Sequence, residues 1–231
     1  MWSFTPDELT AIQLSLKVAL WATFGSLPLG LFTAYVLARW QFPGKLLLDG
    51  IVHLPLVMPP VVTGYLLLLS FGRRGFIGAP LAEHLGIVFS FRWTGAALAC
   101  AVMSFPLLVR AIRLSFEAAD RRLEEAAGTL GASRPWIFAT VTLPLALPGV
   151  LAGMVLGYAK ALGEFGATIT FVSNIPGETQ TLPSAIYTFT QIPGGESGAL
   201  RLTLVSIGLA FAAMIASELL ARPVARMVRG V

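Results

Sequence analysis

Residues 135–159 read PWIFATVTLPLALPGVLAGMVLGYA, 25 consecutive positions without a charged side chain. A helix of about 20 apolar residues is long enough to span the hydrocarbon core of a bilayer. Further uncharged runs occur at 18–38, 50–72, 93–109 and 202–217. Because unpaired backbone groups are not tolerated in lipid, each run should be helical. The sequence therefore predicts an all-α integral membrane protein.

The composition fits a chain surrounded by lipid. Of 231 residues, 56% are hydrophobic and only 12% are charged, whereas a typical soluble domain has roughly 25% charged residues. The mean hydropathy is +0.78, so most of the outer surface should face hydrocarbon. These values exclude a soluble enzyme, a disordered regulator and a nucleic-acid-binding domain. The single cysteine, Cys100, allows no intrachain disulfide framework.

Five spans are predicted within one transmembrane domain that covers residues 1–231. Their approximate limits are 10–38, 47–72, 92–113, 135–161 and 199–221. Residues 165–195 break the apolar pattern with prolines, glycines and polar side chains, so we predict a structured segment outside the membrane with a short helix at 182–191. Two placements of Ala167–Val172 stay open, outside the membrane or dipping into it.

The distribution of basic residues predicts the orientation. With the N-terminus outside, ten Lys and Arg residues fall in the inner connections and six in the outer ones. Because basic residues accumulate on the cytoplasmic side, we predict an outer N-terminus and a cytoplasmic C-terminus in a multi-pass membrane protein. Asp7 and Glu8 stand where a cleavable signal would be basic, so we expect no cleaved leader.

The longest inner connection, residues 110–134, contains a candidate amphipathic helix. Asp120 is suited to cap its start, and Gly131 to end it in a left-handed conformation. A second helix should begin near Ser133, with Pro135 in its first turn. One face of the first helix carries the apolar side chains at i, i+3, i+4 and i+7, namely Leu123, Ala126, Ala127 and Leu130. Periodicity alone fits equally a helix that only anchors the loop to the membrane surface.

The spacing of residues in this loop distinguishes these alternatives. Glu125-Ala126-Ala127 is followed by three residues, then Gly131, then nine residues, then Val141-Thr142-Leu143-Pro144. This pattern resembles the EAA motif of ABC-transporter permeases, with Val141 in place of an isoleucine. The resemblance implies the type I ABC importer permease fold, with residues 120–131 as a coupling helix that docks on a separate ATPase subunit. The implied docking residues are Leu123, Glu125, Ala126, Ala127, Leu130 and Gly131.

No ATP-binding, catalytic or metal site is predicted in the chain itself. Gly44-Lys45 is followed by Leu46 and lacks the earlier glycine of a phosphate-binding loop. The two histidines, His53 and His84, lie far apart, which argues against a metal site and against an intramembrane protease with a Ser and His pair. A pure scaffold would leave the EAA motif unexplained. We therefore expect a permease without cofactors, not an enzyme, with ATP hydrolysis in a partner.

Across almost its whole length the chain resembles the molybdate permease branch of this family. The resemblance is carried by FPGK at 42–45, HLPLVMPPVV at 53–62, GRRGFIG at 72–78 and GEFGATITFVSNIPGET at 163–179. It implies a homodimer in the bacterial inner membrane, two ATPase subunits and a periplasmic molybdate-binding protein. The implied solute is molybdate, with tungstate or sulfate as alternatives.

Prolines and hydroxyls supply candidate gate and pathway residues. Two predicted spans share the pattern Leu-Pro-Leu, two residues, Pro, which fits either a flexible gate or two ordinary helix starts. Hydroxyl groups could donate hydrogen bonds to a tetrahedral dianion, or bond back to their own helices. The candidates are Pro55, Pro59, Thr63, Pro144, Pro148, Thr168 and Thr170.

Overall fold

The computed structural model describes residues 4–229, with side chains described through residue 216 and at Leu219. All regular elements of this part are helices. In chain order they are α1 (Pro6–Arg39), α2 (Lys45–Val57), α3 (Pro60–Phe71), α4 (Gly78–Leu85), α5 (Trp93–Ala118), α6 (Arg121–Thr129), α7 (Arg134–Ile137), a π-helical turn (Phe138–Thr142), α8 (Leu143–Leu162), α9 (Gly166–Val172), α10 (Leu182–Gln191) and α11 (Glu196–Arg229).

Four helical segments in the described residues are long and apolar enough to cross a membrane. They are α1, α5, the continuous stretch Arg134–Leu162 and the first part of α11, Glu196–Ala216. The α2–α3 pair brings the number to five if it crosses as one broken span. The predicted class, an all-α protein with several membrane-spanning helices, is confirmed.

The second predicted span, 47–72, consists of two helices with a sharp break between them. The chain bends by 115° between α2 and α3, where Met58 and Pro59 adopt extended ψ angles of 145° and 132°. Pro59 and Pro60 lack backbone N–H groups, and a proline disfavours the helical conformation of the residue before it. Two consecutive prolines therefore end α2 and start a new helix in another direction.

The centre of the bundle is α5, which packs against α1 and α8. Close approach of α8 depends on glycines that face α5. A Cβ atom at Gly149 would lie 2.2 Å from the Cβ atom of Ser115, and one at Gly153 would lie 3.0 Å from the Leu108 carbonyl oxygen. Small residues at such contacts let membrane helices pack closely through their backbones.

The first and last long helices are joined by a buried ion pair. Thr5 and Glu8 form a capping box at the start of α1. The Glu8 side chain, which is fully buried, also accepts a hydrogen bond of 2.6 Å from Arg201 Nη2 on α11. This contact fixes the beginning of α11 against the beginning of α1.

The segment between α8 and α11 is folded against the bundle. The short helix predicted at 182–191 is present with the same limits as α10. Residues 166–172 form α9, which packs on α3 and α5 and buries Ala167, Phe171 and Val172. Ala167–Val172 is therefore part of the helical core, in contact with α3.

Candidate coupling site and gate

The helix α6 has the caps that its sequence predicts. Asp120 Oδ1 accepts a hydrogen bond of 2.9 Å from the Arg122 backbone N–H. At the other end Gly131 has φ of +84°, and its N–H donates to the Gly128 carbonyl oxygen at 3.0 Å. The positive φ favours glycine because a Cβ atom would be strained there. The chain then enters α7, whose first turn contains Pro135.

The outer side of α6 is apolar and open. Leu123 is 49% exposed and Leu130 is 88% exposed, and Glu125, Ala126 and Gly131 are exposed as well. Of the six predicted docking residues, Ala127 alone is half-buried. Exposed leucines beside small residues form a surface on which another protein can pack closely.

The inner side of α6 is held by a carboxylate that the sequence analysis missed. Glu124 Oε1 accepts hydrogen bonds from Arg39 Nη2 at 2.6 Å and from Thr142 Oγ1 at 3.0 Å. Arg39 is the last residue of α1, and Thr142 comes directly before α8. No spacing rule reaches from residue 124 to residue 39 or to residue 142, so the sequence carries no signal for either contact.

A π-helical turn and an aromatic cluster lie beside this contact. The turn Phe138–Thr142 widens the helix just before Pro144, which has no N–H to donate to the preceding turn. The Phe138 ring lies 5.1 Å from the ring of Tyr35, which lies 5.5 Å from the ring of Phe116. These edge-to-face contacts join α1, α5 and the start of α8 at the level of α6.

The four candidate gate prolines occupy different structural settings. Pro59 lies at the 115° bend, and Pro55 lies inside α2. Pro144 is in the first turn of α8 and Pro148 lies inside it, but α7, the π turn and α8 continue without a break. The shared sequence pattern therefore corresponds to a bend in one span and to an unbroken helical segment in the other.

The candidate pathway threonines lie on two helices that pack together, Thr63 on α3 and Thr168 and Thr170 on α9. Thr168 Oγ1 donates to the Phe165 carbonyl oxygen and Thr170 Oγ1 to the Gly166 carbonyl oxygen, both at 2.8 Å. These two hydroxyls are thus bonded to their own helix. Thr63 differs, because its hydroxyl is buried and has no hydrogen-bond partner within the described part of the chain.

Close contact between α3 and α9 depends on Gly64. A Cβ atom there would lie 2.5 Å from the Ala167 carbonyl oxygen and 2.9 Å from Thr170 Cβ. The start of α9 is fixed by Glu164, which accepts hydrogen bonds from Lys160 Nζ at 2.5 Å and from the Ala167 N–H at 3.1 Å. The two helices therefore form one tightly fitted unit.

A second polar cluster, also missed from the sequence, connects α2 to α5. Arg113 Nη1 donates to Asp49 Oδ1 at 2.9 Å, and Arg113 Nε donates to Glu117 Oε1 at 2.8 Å. The imidazole of His53 lies 2.9 Å from the Asp49 carbonyl oxygen. Among the residues described, no three histidine, cysteine or acidic side chains are placed to hold a metal ion.

The described residues thus form a bundle of apolar helices with an exposed amphipathic helix, α6, in the loop before α7. Residues 26–226 match the family described as "Binding-protein-dependent transport system inner membrane component". The chain belongs to this family.

Several relatives are similar over most of their length. The chain is 62% identical over 218 residues to the molybdenum transport system permease protein ModB of Escherichia coli (strain K12), covering 94% of this chain and 95% of that protein. It is 58% identical over 215 residues to the protein of the same name from Haemophilus influenzae, covering 93% of this chain and 94% of that protein. It is 42% identical over 176 residues to the sulfate transport system permease protein CysW of Synechococcus elongatus, covering 74% of this chain and 61% of that protein.

Solved structures of ABC importers share the fold. The MetNI methionine ABC transporter in inward-facing conformations superposes with a TM-score of 0.70 and 16% identity, covering 94% of this chain and 95% of that chain. A bacterial alginate ABC transporter in complex with an alginate pentasaccharide-bound periplasmic protein superposes with a TM-score of 0.71 and 16% identity. The match covers 97% of this chain and 80% of that chain. The chain thus has the fold of ABC importer permeases.

Proposed function

We propose that this chain is the permease subunit of an ATP-driven importer that carries molybdate from a periplasmic binding protein into the cytoplasm. The observation that carries the proposal is the 62% identity, over 94% of the chain, to a molybdenum transport system permease. The sulfate transport relative is less similar, at 42% identity over 74% of the chain. Tungstate has the same shape and charge as molybdate, so it should follow the same route.

The outer side of α6 is the surface on which the ATPase docks. Exposed Leu123, Ala126 and Leu130 provide apolar contact, and the absence of large side chains at Ala126 and Gly131 allows close approach. Exposed Glu125 can form charge-assisted hydrogen bonds with basic groups of the partner. Ala127, which is half-buried, lies at the edge of the same surface.

A second copy of the chain completes the pathway. Only Val52 of the 13 residues in α2 is buried within the described chain, so this helix has an apolar surface left to cover. A homodimer with the pathway on its two-fold axis covers it and supplies docking sites for two ATPase subunits. The remaining outer surface faces membrane lipid.

The candidate gate lies at the α2–α3 bend. The break at Pro59, with Pro55 inside α2, lets the two halves of the span reorient. Beyond the bend, the Thr63 hydroxyl has no hydrogen-bond partner among the described residues. The hydroxyls of Thr168 and Thr170 are bonded to backbone carbonyls at the start of α9. In α8, Pro144 and Pro148 loosen the helix next to the π turn. Weak donors of this kind let a dianion pass without trapping it, and the binding protein selects the solute.

The orientation follows from the charge distribution in the sequence. With the N-terminus outside and the C-terminus in the cytoplasm, α6 faces the cytoplasm, where ATP is available, and α10 faces the periplasm.

Uptake of labelled molybdate in a bacterial strain that lacks its own molybdate permease tests this function. Cells that express the chain with its ATPase and binding protein should accumulate label in the presence of a large excess of sulfate, and added tungstate should compete. Cells that express the ATPase and binding protein without this chain provide the control. Accumulation of label no greater than in this control would contradict the proposal.

A further inference from the structure

We infer that Glu124 is the positioning residue that transmits movement of α6 to the membrane spans, through its bonds to Arg39 and Thr142. The inference rests on the proposed function, because it requires an ATPase that docks on α6. Nothing in the EAA pattern itself assigns a role to residue 124, which precedes Glu125-Ala126-Ala127.

The geometry joins three elements at one oxygen atom. Glu124 Oε1 accepts both the Arg39 Nη2–H bond at 2.6 Å and the Thr142 hydroxyl bond at 3.0 Å. Because Arg39 ends α1 and Thr142 precedes α8, this oxygen connects α6 to the ends of two spans that pack on the same central helix, α5. A shift of α6 therefore acts on both spans together.

The charge on Arg39 makes the contact hard to break. Its side chain is only 7% exposed, and its Nε and Nη1 atoms have no hydrogen-bond partner among the described residues. Glu124 is thus the carboxylate that balances a buried guanidinium group. Separating the two would leave a buried charge without a counter-ion, which is strongly unfavourable. We therefore expect α1 to follow α6 when the ATPase moves it.

Elsewhere α6 is loosely held. None of its nine residues is buried, and its main packing contacts within the described chain are with α7 and the π-helical turn. A cavity of about 370 Å³ lies beside the contact, lined by Arg39, Glu124 and Thr142 among others. The adjoining π turn is a departure from α geometry of the kind that is frequent at functional sites. The polar bonds of Glu124, and not close packing, therefore determine how α6 moves relative to the spans.

Docking and transmission use different sides of α6, so substitutions can separate them. Leu123, Ala126 and Leu130 are on the exposed side, whereas the Glu124 side chain is 22% exposed and bonded inward. Glu124→Gln removes the charge and keeps the shape. In the complete transporter this variant should retain the ATPase on co-purification and retain basal ATP hydrolysis. Molybdate uptake should fall by at least about tenfold, as expected for the loss of a charge-assisted hydrogen bond.

Two further sets of variants make the result specific. Arg39→Glu and Glu124→Arg should each abolish uptake, and the double variant, which restores an ion pair, should recover uptake to within about threefold of wild type. Thr142→Val removes only the hydroxyl bond and should lower uptake by about threefold, with the permease still folded and the ATPase still bound. Glu83→Gln, an exposed position on α4, is the matched control for loss of a carboxylate.

Three results would overturn the inference. One is full uptake by Glu124→Gln, and another is loss of the ATPase from that variant, which would make Glu124 a docking or folding residue. The third applies if Glu124→Gln does not fold. In that case full uptake by Thr142→Val would overturn the inference. The wild-type complex in the same assay tests the proposed function separately. If the chain were a permease for another solute, neither the wild type nor any variant would accumulate molybdate.

Discussion

Substitution of Ala126 by aspartate is the sharpest perturbation of the proposed docking surface. Ala126 is exposed on α6, and substitutions at exposed positions usually change stability by no more than about 0.5 kcal/mol. We therefore expect Ala126→Asp to insert into the membrane and to dimerise like the wild type. Any large effect should arise only when the ATPase covers this position.

The size of that effect follows from burying an unpaired carboxylate at the interface. A buried charge without a partner costs about 3–5 kcal/mol, and each 1.4 kcal/mol corresponds to about a tenfold change in affinity. Ala126→Asp should therefore weaken ATPase binding by more than about a hundredfold. Ala126→Ser, which adds a small neutral group, should weaken it by less than about tenfold.

Titration of the tagged permease with purified ATPase in detergent measures this affinity, and uptake in cells should fall in parallel. Ala118→Asp makes the same change at the exposed end of α5, outside α6, and should leave both quantities near wild type. If Ala126→Asp binds the ATPase within about twofold of wild type, α6 only rests on the membrane surface and the docking assignment is refuted.

Two other substitutions test the packing and the orientation. Gly64→Val should lower the thermal midpoint of the permease by at least about 2 °C, since its side chain would overlap the backbone of α9. Gly208→Val, where a Cβ atom meets nothing within 4 Å, should leave the midpoint unchanged, and equal effects would contradict the close α3–α9 contact. In a background without the native cysteine, Gln191→Cys should react with an impermeant thiol reagent on intact cells and Arg122→Cys only after lysis. The reverse pattern would invert the proposed orientation.

Local signals in the sequence predicted the loop helix and the helix at 182–191 well. Asp120 and Gly131 act on backbone groups within a few residues of themselves, so the ends of α6 can be deduced from residue type alone. The helix 182–191 is bounded by prolines and glycines for a similar reason. In such cases the determining contacts are short-range.

The prolines marked a possible bend, but its angle and the polar contacts of the site could not be predicted from the sequence, for physical reasons. Residues 50–72 are uncharged throughout, and hydropathy carries no information about backbone direction, although Pro59-Pro60 marks where the direction changes. The Arg39–Glu124 pair joins residues 85 positions apart. Periodicity relates positions three or four residues apart on one helix, so only the folded structure reveals this pair.

The most direct test of the account is transport by purified components in proteoliposomes. The permease dimer, its ATPase and the loaded binding protein should accumulate molybdate when ATP is supplied on the α6 side of the membrane. Accumulation should stop when the ATPase is omitted or when ATP is replaced by a non-hydrolysable analogue. Equal accumulation without the ATPase, or none with all three components active, would contradict the assignment of this chain as the permease of an ATP-driven molybdate importer.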